Sequence, residues 1–318
     1  MAILALDLGG TKLAAAIFDG RGNIIQEKNI PLNGRKGKEV GDFILNTASD
    51  LLKAHQAKAV GISVPGIVNE KTGKVWAPNI PGWEDYPLKD EISRLTGNIP
   101  VAIEADRTCY ILGEQWKGKA AGYHHAIFIA VGTGIGAGIL VNGKVLKGAH
   151  GVGGAIGWLG MEKPYDEKFR ERGFLETRAS GYGIAKFAKE NAEKRYGYNG
   201  ILKNIPESEI TSRHVLQAYE EGDPVGRDTL LQVIEYWGMV TANLISIFNP
   251  EIVLFGGGVF GPAVKFLSEI IEEAEKWAQP VSMKQVQIVS SELGLRAGLY
   301  GAGKIAFDLL DSLKPQSK

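Results

Sequence analysis

The chain is poor in cysteine, balanced in charge and free of very long apolar runs, and each scarcity removes a class of function. Its one cysteine, Cys109, excludes an intrachain disulfide and any zinc site built from several cysteines. Lys plus Arg and Asp plus Glu number 36 each, so neither a general nucleic-acid surface nor an anionic-membrane surface is expected. No run is expected to reach the length of a membrane helix. The first strand is expected to begin at Ile3 with no signal peptide ahead of it, which makes a cytoplasmic protein the default. The histidines, His55, His124, His125, His150 and His214, are scattered. No Cys/His metal spacing and no Gly-x-Ser-x-Gly elbow occurs.

What the chain does have is glycine, 42 residues in 318. The stretch Ile127–Gly138 runs from an apolar strand into four glycines spaced two apart and then into another strand. Backbone amides at such a turn can form a nest for phosphate oxygens, although a tight hairpin relieved by glycine explains the stretch equally well. The motif occurs twice, which favours the first explanation. Ile3–Asp7 leads into Gly9-Gly10-Thr11-Lys12, a strand at 13–18 and the pair Asp19-Gly20. Gly132-Thr133-Gly134 leads into a strand and Asn142-Gly143, and in both copies ten positions separate the first glycine from the hairpin residue. Two related domains facing each other are expected, each offering a glycine turn to one polyanion. A chain of this length can bury the core of two domains.

Apolar periodicity places helices at 39–55, 88–97, 106–117, 180–195, 214–219, 226–248, 263–278 and 298–313. Strands are expected at 58–64, 99–104, 251–255 and 286–289, with a long loop over 148–173 and a polar tail at 314–318. Strands alternating with helices give an α/β architecture. Domains are expected at 1–118, joined by the C-terminal helix 298–318, and at 119–297.

Asp7 ends a buried strand just before the first glycine turn, where a carboxylate could hold Mg²⁺ beside phosphates or cap its own turn. The Lys-Ser/Thr spacing of a Walker A loop is absent, and a strand rather than a helix follows the glycines, unlike a dinucleotide fingerprint. Gly256-Gly257-Gly258 ends a strand where a flat group could lie against the backbone. Asp106 opens a helix directly after a strand; it reads equally as a helix cap and as a general base.

Taken together, these segments resemble the ROK family of sugar kinases and related repressors, within the actin-like ATPase superfamily. The resemblance rests on 7–12, 63–66, 79–83, Asp106 with Gly113-Glu114, 131–138, 173–181 and 255–258. It implies two duplicated actin-like (ribonuclease H-like) α/β domains around a cleft and transfer of the γ-phosphoryl of ATP to a hexose hydroxyl, usually at C6. Carried over residue by residue, Asp7, Gly9, Gly10, Thr11, Lys12, Gly132 and Thr133 would contact phosphates and Mg²⁺. Gly256 and Gly257 would lie on the adenosine side, Asp106 would be the base, and Gly66, Asn79 and Glu176 would face the sugar. A homodimer or higher homo-oligomer is usual in the family.

The chain departs from the family pattern in three places. Ala105 stands where Asn usually precedes the base. Ala155-Ile156-Gly157-Trp158 replaces Glu-Ile-Gly-His, and charged residues around 163–172 replace the zinc cysteines. Each unmet sugar hydroxyl would cost roughly 1–3 kcal/mol, so the acceptor is expected to be a modified or less polar sugar, or a glycoside, with Trp158 stacking on it. Alternatively Glu162 or Glu104 substitutes and glucose is retained. A DNA-binding repressor is disfavoured because no helix-turn-helix precedes Asp7, and a sugar sensor without turnover because Asp106 and both turns are intact. The sugar-loop segments disfavour a heat-shock or cytoskeletal ATPase.

Overall fold

An antiparallel hairpin that feeds parallel strands is built twice. The computed structural model describes every residue except Asn98 and 315–318, so most of the expected polar tail lies outside the described residues. The chain divides into two compact units, one comprising Met1–Gly122, Val145–Gly153 and the chain from Leu295 onward, the other Tyr123–Lys144 and Gly154–Gly294.

In the first unit Ala2–Leu8 (β1), Lys12–Phe18 (β2), Ile24–Pro31 (β3), Ala57–Val64 (β4) and Val101–Ala105 (β5) form a sheet in the order β3-β2-β1-β4-β5. β1 pairs antiparallel with β2 and parallel with β4, which pairs parallel with β5. Ile3, Leu4, Ala5 and Leu6 are fully buried, as a continuous apolar run in a sheet covered on both faces requires. Leu4 and Leu6 pack with Val40, Ile44 and Leu51 of the helix Gly37–Ala54. Ile3 and Ala5, on the opposite face, pack with Leu299, Ala302 and Ala306 of the helix Ala297–Ser312.

The second unit repeats the plan. Ala126–Val131 (β6), Ile135–Val141 (β7), Lys144–Val145 (β8), Ile252–Gly256 (β9) and Gln287–Ser290 (β10) lie in the order β8-β7-β6-β9-β10. β6 is antiparallel to β7 and parallel to β9, and β9 is parallel to β10. The duplicated α/β plan expected from the paired glycine motifs is present.

Several local features differ from expectation. The glycine bend ends at Gly134: Gly136 and Gly138 lie inside β7, opposite Ala130 and Phe128. Asn142 and Gly143 both have positive φ, 52° and 72°, as a two-residue type I′ turn requires. Asp19-Gly20 instead opens a wider loop, in which the Asp19 carboxylate accepts the N–H groups of Arg21 and Asn23. The stretch expected as a loop carries 3₁₀ turns at Ile156–Trp158 and Glu167–Phe169, and a separate helix, Phe174–Ala179, follows it. The helix Pro224–Phe248 corrects the expectation about membrane-length segments, since it is long and apolar enough to cross a bilayer. Its Val233, Trp237, Val240 and Ile245 are buried in the core of the second unit.

Candidate active site

At the end of β1 the sequence turns from apolar to polar, and the first glycine turn begins. Asp7 lies opposite Ala14 on one side and Ser63 on the other. Gly9 N–H donates to the Lys12 carbonyl at 2.9 Å, which closes the turn. Gly10 and Thr11 are exposed, and the Thr11 carbonyl accepts Leu32 N–H at 2.8 Å. A Cβ on Gly10 would stand 3.6 Å from that of Asn79, so the first turn and the Asn79 loop touch. That loop is pinned from below: buried Trp83 stacks on Tyr86 at 4.3 Å and donates from Nε1 to the Gly37 carbonyl at 2.9 Å.

Desolvation raises the Asp7 carboxyl pKa to about 6; the Ser63 hydroxyl and Lys12 pull it down, while Asp106 pushes it up. A divalent cation would restore the ionised form, and one carboxylate beside phosphates is the donor set Mg²⁺ takes. Among the described residues no cluster of three or more His, Cys, Asp or Glu side chains could hold a metal, so Asp7 with phosphate oxygens is the arrangement these residues fit.

Asp106 is the first residue of the helix Asp106–Lys117, but it does not cap it. Ala105 occupies the cap position, and Asp106 Oδ1 accepts the N–H of the next residue, Arg107, at 2.7 Å. Tyr110 donates to Oδ2 at 3.3 Å. Burial raises the Asp106 pKa against the pull of Arg107 and these two hydrogen bonds. The carboxylate is thus a stronger base than a solvated aspartate.

Sequence reasoning missed Arg107. Its Nε donates to the Gly153 carbonyl at 3.0 Å, Nη1 to Gly66 at 3.0 Å and Nη2 to Gly151 at 2.7 Å. These partners lie 41 to 46 positions away, so no local spacing reveals them. Gly66 itself sits at φ +110°, where a Cβ would strike the Trp76 carbonyl at 2.1 Å.

In the second unit Gly132 N–H donates to the Gly134 carbonyl at 2.9 Å, and the Gly132 carbonyl accepts Gly181 N–H at 2.7 Å. Thr133 is exposed, with its carbonyl accepting Tyr182 N–H at 3.3 Å. The helix Gly181–Lys194 therefore braces the second turn through its first amides, and Ser180 caps it by accepting Gly183 N–H at 3.0 Å. Gly256 ends β9; Gly257, at φ +97°, comes so close to β6 that a Cβ would lie 2.4 Å from the Val131 carbonyl. Val131 thus joins the Gly256–Gly257 segment to the turn at Gly132.

Glu176 lies against this turn. Its Oε2 accepts Ile135 N–H at 3.2 Å and Arg172 approaches Oε1 at 3.4 Å, and burial raises its pKa against both contacts. A Cβ on Gly157 would lie 3.0 Å from that of Glu176, so the Ala155–Trp158 turn packs on the glutamate. Trp158 is 58% exposed. From the charged stretch 163–172, Lys168 reaches the Glu190 carboxylate at 3.2 Å, and Arg178, outside that stretch, pairs with the same carboxylate at 2.7 Å. Arg178 also lies over Phe187 at 4.4 Å.

Comparison with known proteins identifies the family. The ROK family profile matches residues 3–308. The glucokinase of Halalkalibacterium halodurans is 31% identical over 94% of this chain and 93% of that protein. The xylose repressor of Caldicellulosiruptor bescii is 32% identical over 98% of this chain and 79% of that protein. Among solved structures, a ROK family glucokinase from Streptomyces griseus in complex with glucose and AMPPNP superposes with a TM-score of 0.79 at 28% identity, covering 97% of this chain and all of that one. With a profile match over nearly its whole length and two units built on one plan, the chain belongs to the ROK family.

Proposed function

We propose that the protein is an ATP-dependent sugar kinase in which Asp106 takes the proton from an acceptor hydroxyl, most readily that on C6 of a hexose or hexose derivative. The observation that carries this is a desolvated carboxylate, held by Arg107 N–H and Tyr110, close enough to Asp7 for its charge to raise that residue's pKa. In the transfer the acceptor oxygen forms a bond to the γ-phosphorus, the bond to the bridging oxygen of ADP breaks, and the hydroxyl proton passes to Asp106. Phosphoryl transfer needs mainly positioning and charge stabilisation. In this reading the turns at Gly9–Lys12 and Gly132–Thr133 serve the phosphates, through the amides of Gly10, Thr11 and Thr133 and through Lys12, while the Gly9 and Gly132 amides hold the turns closed. Gly256 and Gly257 serve the adenosine. Asp7 would hold Mg²⁺, which when bound neutralises phosphate charge.

On the acceptor side the reading assigns Gly66, Asn79, Trp158 and Glu176. Ala105 and Ala155 remove hydrogen-bonding side chains at positions where the family has them. The two glutamates that could substitute are engaged elsewhere, Glu104 by Lys147 and Glu162 by the Tyr236 hydroxyl. This supports a less polar or modified sugar, or a glycoside, with the exposed indole of Trp158 stacking on it. A screen of ADP release over hexoses, amino sugars and glycosides tests the assignment: turnover of a glycoside or modified sugar is expected, and a micromolar KM for glucose would overturn the acceptor assignment.

A sugar-sensing protein with weak turnover is the second reading, favoured by the similarity to the xylose repressor. The base-like environment of Asp106 weighs against it. Absence of ADP release with every sugar, alongside sugar binding, would decide for the sensor.

A further inference from the structure

All three guanidinium hydrogen bonds of Arg107 go to backbone carbonyls, and all three acceptors are glycines. Gly66 and Gly151 are in left-handed backbone conformations, at φ +110° and +70°. At Gly153 a Cβ would lie 2.5 Å from the Leu146 carbonyl. These carbonyls are therefore presented by backbone shapes that other residues resist. Burial pulls the Arg107 pKa down, so the cation is kept desolvated in spite of its cost. A planar fork can serve three divergent carbonyls; an ammonium is a single compact centre and cannot match that geometry.

The same segment is held a second time. Lys147 pairs with Glu104 and, at 3.2 Å, with Glu70. Glu104 and Arg107 flank Ala105-Asp106, so residues 147–153 grip the junction of β5 and the base-bearing helix from both sides. A cavity of about 310 Å³ is lined by Glu104, Ala105, Arg107, Lys147, Gly151 and Gly153, among others. It leaves the segment room to shift once its anchors are cut.

We propose that Arg107 is a positioning residue for the acceptor: by clamping Gly66, Gly151 and Gly153 to the helix of Asp106, it sets the register of the acceptor-binding backbone against the base. This rests on the kinase reading of the site. It acts on acceptor binding and leaves the phosphate turns untouched.

The test compares the full-length protein with Arg107→Met and Arg107→Lys, by steady-state kinetics on an acceptor that the wild type turns over and by amide hydrogen exchange. Loss of one well-formed clamp should raise the acceptor KM about tenfold in Arg107→Met, with the ATP KM within about twofold. Millimolar guanidinium ion should restore part of that acceptor KM. Exchange at 148–153 should accelerate while exchange in β1 stays at the wild-type rate. Arg107→Lys keeps a charge without the fork and should fall between wild type and Arg107→Met; should Arg107→Met fail to fold, Arg107→Lys carries the test. Equal rises in the acceptor and ATP KM values, or wild-type acceptor KM and exchange in Arg107→Lys, would overturn the proposal. If the wild type phosphorylates no sugar, the kinase reading fails first, and the exchange rates at 148–153 alone decide whether Arg107 is the clamp.

Discussion

Gly298 and Asp7 are in such close contact that a Cβ on the glycine would lie 2.5 Å from one carboxylate oxygen and 2.6 Å from the other. Gly298 is the second residue of the helix Ala297–Ser312, so the end of β1 and the start of that helix fix the carboxylate between them. Gly298→Ala should force Asp7 to move. Overpacking of this kind costs about 1–3 kcal/mol, and kcat should fall with it. Denaturant melts and initial rates would check both, and wild-type stability together with wild-type turnover would contradict the packing described.

Asp7→Asn should separate stability from activity. The folded-state pKa of Asp7 is raised to about 6 from 3.8. The stability linked to its protonated form is present below about pH 4 and lost as pH rises through 6. Above pH 6 the ionised, desolvated carboxylate therefore weakens the fold by up to about 3 kcal/mol. Asp7→Asn should be more stable than wild type at pH 8, lose that advantage toward pH 4, and be deficient in phosphoryl transfer. Urea denaturation at the two pH values measures the difference; an equal offset at both would count against the assignment.

Asp106→Asn should lower kcat by about 10²–10⁴-fold and leave ATP affinity nearly unchanged. In the wild type the base must be ionised, and burial raises its pKa. The acidic limb of kcat should therefore lie above the range of a solvated aspartate, with activity rising as pH rises through it. A pH–rate profile that stays flat down to pH 4 would remove Asp106 from proton transfer.

Trp158→Ala should separate binding from folding in the opposite sense to Asp7→Asn. The indole is 58% exposed, so the change in stability should stay within about 0.5 kcal/mol. Loss of a stacking contact worth about 1 kcal/mol should raise the acceptor KM roughly fivefold. An unchanged acceptor KM would assign the tryptophan to no part of the sugar site.

Much of this fold was legible because its central strands carry continuous apolar runs. The runs at Ile3–Leu6 and Ile127–Ile129 leave little but buried strand as a reading, and the twofold recurrence of strand, glycine turn and strand marked the duplication. Composition misled where contacts at a distance decide. Gly136 and Gly138 read as part of a turn, yet they are strand residues opposite Ala130 and Phe128. The helix Phe174–Ala179 was hidden by the glycine and charge before it, although Phe174 and Leu175 are buried in the core. The place of Asp106 after a strand left cap and base equally open, and only the family resemblance singled it out as a base; its neighbour Arg107 was not singled out, because three carbonyls far along the chain give it its contacts.

The backbone crosses from one unit to the other four times, after Gly122, Lys144, Gly153 and Gly294. No single cut can therefore release either half as a continuous polypeptide. During synthesis the first sheet emerges before the second unit, but its covering helix Ala297–Ser312 only after it. Until then Ile3, Ala5 and Ala59 lack their partners, and the nascent chain must keep that bare face from sticking to its neighbours.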